Sequence, residues 1–249
     1  MDISPLAETM AKDTAFTARD LVHVSRVNFA WPGGKKFKIA IDDFSLEAGS
    51  KTLLVGPSGG GKSTLLSLLC GIIAPHDGEI VILDTDIVAL SNAARDSFRA
   101  EHIGVIFQMF NLLPYGSVID NVVLPLSFAR QRRDRVLQKG PVADEASRIL
   151  SALGLDDGVF TGPASALSVG QQQRVAAARA LIGMPELILA DEPTSALDHE
   201  HQERFIDLLF RQMKEAKATL LMVSHDRRIS PLFDQVLELE NIVKVQEVA

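Results

Sequence analysis

The residues best suited to chemistry lie in a glycine-rich stretch that follows a short apolar run. Residues 53–66 read LLVGPSGGGKSTLL, and residues 56–63 within them fit the phosphate-loop pattern G-x-x-x-x-G-K-[ST]. The glycines let successive backbone N–H groups turn toward one point, and the helix expected after them adds free N–H groups and a positive dipole end. Lys62 is suited to reach the outer phosphates of a nucleotide, and the Ser63 hydroxyl is suited to bind Mg²⁺.

This stretch predicts a binding site for a nucleoside triphosphate. The alternative is a Gly-Ser linker with a chance lysine, and the strand–loop–helix context argues against it. The residues predicted to hold the phosphates are the loop and the first residues of the helix: Gly56, Pro57, Ser58, Gly59, Gly60, Gly61, Lys62, Ser63 and Thr64.

A pair of adjacent carboxylates follows a second apolar run, LILADEP at residues 187–193. Ligands of open parallel sheets bind at the carboxyl ends of the strands. Asp191 can therefore hold the Mg²⁺ that Ser63 binds, directly or through water. Glu192 is suited to polarise the attacking water as a general base. Alone this motif is weak, because an acidic turn after a strand is common.

A second helix start occurs at residues 167–174, LSVGQQQR. Ser168 is a favourable N-cap, and Gly170 permits close backbone approach, so this helix N-terminus could also receive a phosphate. One nucleotide cannot easily use two such ends of a single small domain. The simplest solution is that this second end serves a neighbouring copy of the chain.

Composition excludes several other classes of function. The net charge of −7 over 249 residues argues against a general nucleic-acid binder, so we expect no nucleic-acid partner. The one cysteine, Cys70, excludes an intrachain disulfide and a multi-cysteine zinc site, and we expect a buried thiol. No apolar run is long enough for a membrane span, and residues 1–18 read as a loose extension rather than a signal peptide. We therefore expect a soluble, cytoplasmic protein.

Periodicity predicts an α/β fold with two kinds of sheet. Strand signals over residues 21–46, with a Pro-Gly-Gly turn at 32–34 and alternation in KFKIAI, indicate an antiparallel β-subdomain. Near-continuous apolar runs then indicate a parallel sheet covered on both faces: TLLVG (52–56), EIVILD (79–84), IGVIF (103–107), LILAD (187–191) and TLLMVSH (219–225). Helical spacing of apolar residues between the third and fourth runs predicts an inserted helical subdomain at about 110–165.

Taken in order, the motifs resemble the ATP-binding subunit of ABC transporters over nearly the whole chain beyond residue 20. They are the phosphate loop, LSVGQQQR, LILADEP, the SALD of residues 195–198, and His225. The resemblance implies a P-loop NTPase core over residues 19–249 that uses ATP and Mg²⁺. It also implies an ATP-bound homodimer, arranged head to tail, and an integral membrane permease as partner. Such a subunit would lie on the inner face of the cell membrane through that permease.

Residue roles follow from the same resemblance. Ser168 and Gly170 would contact the γ-phosphate of ATP bound by the partner copy, and Gln171 beside them would also belong to the nucleotide site. Asp198 would link the two sites across the interface. The stretch at residues 167–174, LSVGQQQR, is the signature of the family, and it departs from the family pattern at Val169, which replaces a glycine. Because a β-branched residue disfavours positive φ, we expect ordinary backbone geometry there and competent sites.

Three further residues match family positions outside these motifs. Gln108 would sense Mg²⁺ and water and connect to the permease, and His225 would hold the γ-phosphate. Trp31 aligns with the aromatic that stacks on adenine. Phe29 is its rival, because it lies two residues away on the same strand face.

Residues 107–129, FQMFNLLPYGSVIDNVVLPLSFA, are similar to the class that serves lipoprotein release, macrolide-type efflux and related envelope machines. From the short stretch after His225 we expect no C-terminal regulatory domain of the kind seen in many importer subunits. Two alternatives stay open. One is an ATPase that regulates a non-transporting membrane partner in cell-wall or division machinery, and the less favoured one is a soluble ABC-type ATPase acting on nucleic acid.

Overall fold

Two five-stranded sheets form the framework of the protein in a computed structural model, which describes residues 20–31, 38–195 and 197–246. The strands are β1 (Asp20–Ala30), β2 (Lys38–Glu47), β3 (Lys51–Val55), β4 (Asp77–Ile82), β5 (Thr85–Asp86), β6 (Ile103–Ile106), β7 (Leu187–Asp191), β8 (Thr219–Ser224), β9 (Gln235–Glu238) and β10 (Val243–Gln246). The α-helices are α1 (Lys62–Leu69), α2 (Asn92–His102), α3 (Val118–Val123), α4 (Arg130–Leu137), α5 (Val142–Ala152), α6 (Val169–Leu181), α7 (His199–Ala216) and α8 (Leu239–Ile242).

The parallel sheet has the strand order β6-β7-β8-β3-β9, and every pairing in it is parallel. Successive residues face opposite sides, so Leu53 packs against the helical side and Leu54 against α1 and the other sheet. Both faces are therefore covered, as the continuous apolar runs predict. Because the strands are parallel, the ends of β3, β6, β7 and β8 lie at one edge, where the predicted site residues follow them.

The antiparallel sheet has the order β10-β2-β1-β4-β5, and α1 lies between it and the parallel sheet. The expectation of an antiparallel β-subdomain before the phosphate loop is confirmed over the described residues. The predicted turn at 32–34 lies outside those residues, as does the extension at 1–18. The C-terminal strand β10 joins this sheet by pairing with β2, which the sequence analysis did not anticipate.

The prediction that EIVILD (79–84) belongs to the parallel sheet is wrong. These residues form most of β4, which pairs antiparallel with β1 in a register that places Val22 opposite Ile82. Only Ile80 and Ile82 are buried, and they alternate with more exposed neighbours, the pattern of a strand covered on one face. The run then ends in a turn at Leu83 and Asp84, both with positive φ.

Helices α3, α4 and α5 lie in the chain between β6 and β7, where a helical insertion is predicted. The apolar residues at helical spacing in α5 face inward: Ala146, Ile149 and Leu150 are buried. They share one core with α6, α7 and one face of the parallel sheet. The bounds 110–165 of a separate subdomain stay a prediction.

Cys70 is a buried free thiol at the end of α1, as expected, and burial raises its pKa to about 12. A thiol in this state is not a nucleophile near neutral pH. Among the described residues, no helix is both long enough and apolar enough to cross a membrane.

Candidate nucleotide site

The phosphate loop connects the end of β3 to the start of α1, and its glycines serve two different needs. Gly59 and Gly61 have φ of 78° and 103°, a left-handed conformation that residues with a Cβ adopt only with strain. Gly56 and Gly60 instead permit close packing, because an added Cβ would lie 2.7 and 2.9 Å from side-chain atoms of Leu239. Leu239, the first residue of α8, therefore packs directly against the phosphate loop.

Lys62 is buried, and its ammonium group is fully engaged by the protein. Its Nζ donates hydrogen bonds to the carbonyls of Gly56 and Pro57, each at 2.9 Å, and lies 3.5 Å from Oε1 of Glu192. A buried charge needs such partners, since desolvation is otherwise very costly. The lysine is thus held beside the loop, within reach of a phosphate that could replace one of these oxygens.

The Ser63 hydroxyl donates to Oδ2 of Asp191 across 2.8 Å, which joins the start of α1 to the end of β7. Burial raises the pKa of Asp191, and the nearby charge of Glu192 raises it further, whereas the Ser63 hydrogen bond and Lys62 lower it. A hydroxyl beside a carboxylate offers the oxygen ligands that Mg²⁺ prefers. Within the described residues there is no cluster of three or more His, Cys, Asp or Glu side chains that could hold a metal. Mg²⁺ bound here would therefore also need phosphate oxygens and water, as is usual for this ion.

Glu192 lies in a strained conformation between two polar partners. Its φ is 43°, unusual for a residue with a side chain, and its N–H donates to the carbonyl of Val223 at 3.0 Å. Its Oε2 lies 2.8 Å from Nδ1 of His225, which follows β8. Strain of this kind is common at functional sites, where the surrounding structure holds it in place. Here it aims the carboxylate away from the strand and toward Lys62 and His225.

Most of the predicted phosphate residues meet the Mg²⁺ and general-base candidates around one cavity of about 330 Å³, which Gly56, Pro57 and Gly60 do not line. Its lining is Ser58, Gly59, Gly61, Lys62, Ser63, Thr64, Gln108, Asp191 and Glu192. Gln108 reaches it from the loop after β6. Gly56, Pro57 and His225 line a neighbouring cavity of about 300 Å³. The three catalytic candidates are therefore close in space, although their roles stay predictions.

The signature residues do not line either cavity. Ser168 caps α6 as predicted, and the cap is reciprocal: its Oγ accepts from the N–H of Gln171, whose Oε1 accepts from the N–H of Ser168. The glutamine side chain, assigned to phosphate contact, is thus engaged in a capping box. Val169 lies in the first helical turn without positive φ, so its ordinary geometry is confirmed. Gly170 has open space on its Cβ side, where the nearest atom is Cδ2 of Leu197 at 3.9 Å.

Asp198 caps α7 through a hydrogen bond from the N–H of His201 at 3.0 Å. That bond, with a second contact to the His201 ring, lowers the pKa of Asp198. The sequence analysis missed this capping role, although Asp before a helical run is a recognisable N-cap signal. The assignment of Asp198 to communication between two sites stays a prediction.

The two candidate base-stacking residues differ in exposure. Phe29 is 6% exposed and packs in the core, whereas Trp31 is 43% exposed. The Trp31 ring packs edge-to-face on Phe29, with centroids 5.2 Å apart. Its exposed face is therefore the one that could receive an adenine ring.

Comparison with known proteins gives consistent results. A family model described as ABC transporter matches residues 40–195. The chain is 38% identical, over 80% of its own length and 88% of the relative's, to the lipoprotein-releasing system ATP-binding protein LolD of Porphyromonas gingivalis. It is 37% identical over 205 residues to the macrolide export ATP-binding/permease protein MacB of Rhodopirellula baltica, but spans only 29% of that protein.

Solved structures agree with this assignment. A dimeric ATP-binding cassette in a post-hydrolysis state, bound to ADP and Pi, matches with a TM-score of 0.75 and 30% identity, over 92% of this chain and 99% of that one. The predicted P-loop NTPase fold, with its parallel sheet, antiparallel β-subdomain and helices, is thereby confirmed. The chain therefore belongs to the ABC transporter family, as an ATP-binding and ATP-hydrolysing cassette of the LolD and MacB type.

Proposed function

We propose that this cassette powers an envelope export, lipoprotein-release or efflux system by closing with a second copy, head to tail, around ATP. One observation carries the proposal: the phosphate cavity holds the cradle and the general base, whereas the capped N-terminus of α6 lies outside it. The first N–H groups of a helix have no partners within that helix and attract anions. A second copy can supply this end to the γ-phosphate through Ser168 and Gly170.

The residues around the cavity fit Mg²⁺–ATP. Ser63 and Asp191 would hold the ion, which when bound would neutralise part of the phosphate charge. The loop N–H groups and Lys62 would bind the phosphates and orient them. Glu192 would accept a proton from the attacking water, and Gln108 would help to position that water.

ATP would also redistribute the contacts of Lys62. A phosphate oxygen that takes the ammonium group competes with Oε1 of Glu192, which lies 3.5 Å from Nζ. The carboxylate then keeps its contact with His225 and gains freedom to face the water. Nucleotide binding would thus free the Glu192 carboxylate to act as the general base.

Closure would be driven by the difference in ATP affinity between the open and the closed pair. With ATP present, Ser168, Gly170 and Gln171 of one copy share the negative charge held by the other, and Asp198 lies near the contact. Hydrolysis and release of phosphate remove the shared ligand. The pair then opens, which gives the machine two states.

A groove of about 460 Å³ between β6 and the inserted helices is the surface we assign to the membrane permease. Its lining includes Ile72 and Phe128, which are 52% and 72% exposed. Met109, directly after Gln108, is 81% exposed. Exposed apolar side chains in a cluster mark interaction sites. Docking here would hold the protein at the inner face of the membrane. One relative is named as a combined ATP-binding and permease protein, which supports a permease as the partner.

Gel filtration with light scattering tests this proposal. Glu192→Gln should bind ATP, hydrolyse it slowly and run as a dimer with ATP but as a monomer without it. The control is the double variant Glu192→Gln with Gly170→Asp. The Gly170 site has space for a side chain, and an acidic residue near a helix N-terminus does not destabilise the monomer.

The aspartate would repel the partner's phosphate, so the double variant should bind ATP and stay monomeric. A dimer in both variants would place the contact elsewhere. A monomer in both, with ATP bound, would refute the head-to-tail site.

A further inference from the structure

We infer that Arg179 is a positioning residue that fixes the Gln108 loop, residues 107–113 after β6, to α6, the helix that carries the signature. Arg179 lies in the last turn of α6 and is 9% exposed. Its Nη1 donates to the carbonyl of Asn111 at 2.7 Å, and its Nη2 donates to the carbonyl of Phe110. The inference deepens the proposed function, because it rests on the role assigned there to Gln108.

The two residues whose carbonyls Arg179 binds have unusual backbone geometry. Phe110 and Asn111 have φ of 57° and 49°, two consecutive left-handed residues other than glycine. Such residues are strained and persist only when their surroundings hold them in place. Two charge-assisted hydrogen bonds from one planar group provide that hold. Burial of the Phe110 side chain in the helical core supplies another contact.

The loop that Arg179 holds lines both the phosphate cavity and the groove assigned to the permease. Gln108 faces the phosphate cavity, whereas Phe107 and Asn111 line the groove assigned to the permease. Arg179 itself lines that groove. A partner that displaced Phe107 or Asn111 in the groove would therefore act on Gln108 through the connecting backbone, and Arg179 contacts that same segment.

The C-terminal end of this loop is fixed by a different residue, Asn121. Asn121 of α3 is fully buried, accepts from the N–H of Leu113 at 2.7 Å and donates to its carbonyl at 3.0 Å. Arg179 is thus the contact that connects the near end to α6 rather than to α3. Since α6 is a continuous helix that begins at its Ser168 cap, Arg179 connects the loop to the same helix whose N-terminus we assign to the γ-phosphate held by the partner copy.

The test replaces Arg179 with lysine, which keeps the positive charge but lacks the planar fork that binds two carbonyls at once. We expect hydrogen exchange in the peptide 107–113 to become faster, since the amides of Phe110 and Asn111 are bonded within this loop. We expect kcat for ATP to fall about tenfold while KM changes less than about twofold, because misplacing a positioning group affects turnover more than binding.

Arg148→Lys is the matched control. Arg148 lies on α5 and lines neither the phosphate cavity nor the groove, yet its guanidinium also makes two bonds at once: Nε and Nη2 donate to the Glu145 carboxylate at 2.8 and 3.1 Å. This variant should lower the melting temperature, yet leave exchange in 107–113 and kcat unchanged.

Two outcomes would overturn the inference: wild-type exchange and kcat in Arg179→Lys, or the same loss of kcat and the same exchange in both variants. The exchange measurement needs no turnover. If the wild-type protein failed to hydrolyse ATP, the proposed function would fail, whereas the comparison of exchange rates would still decide whether Arg179 holds the loop.

Discussion

Replacement of Glu192 by glutamine isolates the charge of this side chain from its shape. The amide can keep both contacts of the carboxylate, because its oxygen can accept from Lys62 at the 3.5 Å position and its NH₂ can donate to Nδ1 of His225 at 2.8 Å. The strained φ of 43° is unchanged in principle, since both residues have the same stem. What disappears is the basic oxygen that would take a proton from water.

The structure allows the two consequences to be compared in size. Lys62 keeps its bonds to two carbonyls, so the lost ion pair should change the free energy of unfolding by about 1 kcal/mol, or about 2–4 °C in melting temperature. A general base contributes roughly 10²- to 10⁴-fold in rate, which corresponds to about 3–5 kcal/mol in the activation barrier. Turnover should therefore fall by at least a hundredfold in a protein that remains folded.

The assay combines phosphate release with direct measurement of ATP binding. Glu186→Gln is the control, because Glu186 also lies between a histidine and a cation: His102 Nδ1 at 3.1 Å and Arg135 Nη1 at 3.0 Å, away from the cavity. That variant should lose comparable stability and keep its turnover. Glu192→Gln with more than a tenth of wild-type turnover, at intact ATP affinity, would refute the assignment of Glu192 as base.

Three more predictions concern the phosphate loop and the base-stacking residue. Lys62→Ala should weaken ATP affinity about 10- to 100-fold, because a charge-assisted contact of about 1.5–3 kcal/mol is lost; unchanged affinity in equilibrium dialysis would contradict the loop's role. ATP should change the fluorescence of Trp31, the one tryptophan in the sequence. Trp31→Ala should weaken ATP binding by about 1–3 kcal/mol, whereas Phe29→Leu should mainly lower the melting temperature. The reverse result would favour Phe29 as the residue that contacts the base. Gly60→Ala should destabilise by about 1–3 kcal/mol because its Cβ would lie 2.9 Å from Cδ2 of Leu239. Since Leu239→Ala removes that atom, the double variant should lose less than the sum of the two single losses, and strict additivity in thermal unfolding would show that these residues do not meet.

Local motifs explain most of what could be predicted from the sequence. The phosphate loop, the Ser168 cap and the strand ends that carry Gln108, Asp191 and His225 are each encoded by a few consecutive residues. Glycine conformation, N-cap hydrogen bonding and apolar runs depend on neighbours in the chain, so their physical causes are visible in a linear reading. Parallel strand order then brings their ends to one edge of the sheet.

Contacts between distant segments required the tertiary structure. Register and packing decide which strand pairs with β4 and that β10 pairs with β2. They also place Leu239 against the glycines of the phosphate loop. Glu192 meets His225 across 33 positions of sequence, and Arg179 meets Phe110 across 69. No local propensity encodes such pairs, because each forms only when two separately folded elements pack together. The sequence thus determined which groups could perform the chemistry, and tertiary packing decided which of them are held in position by which neighbours.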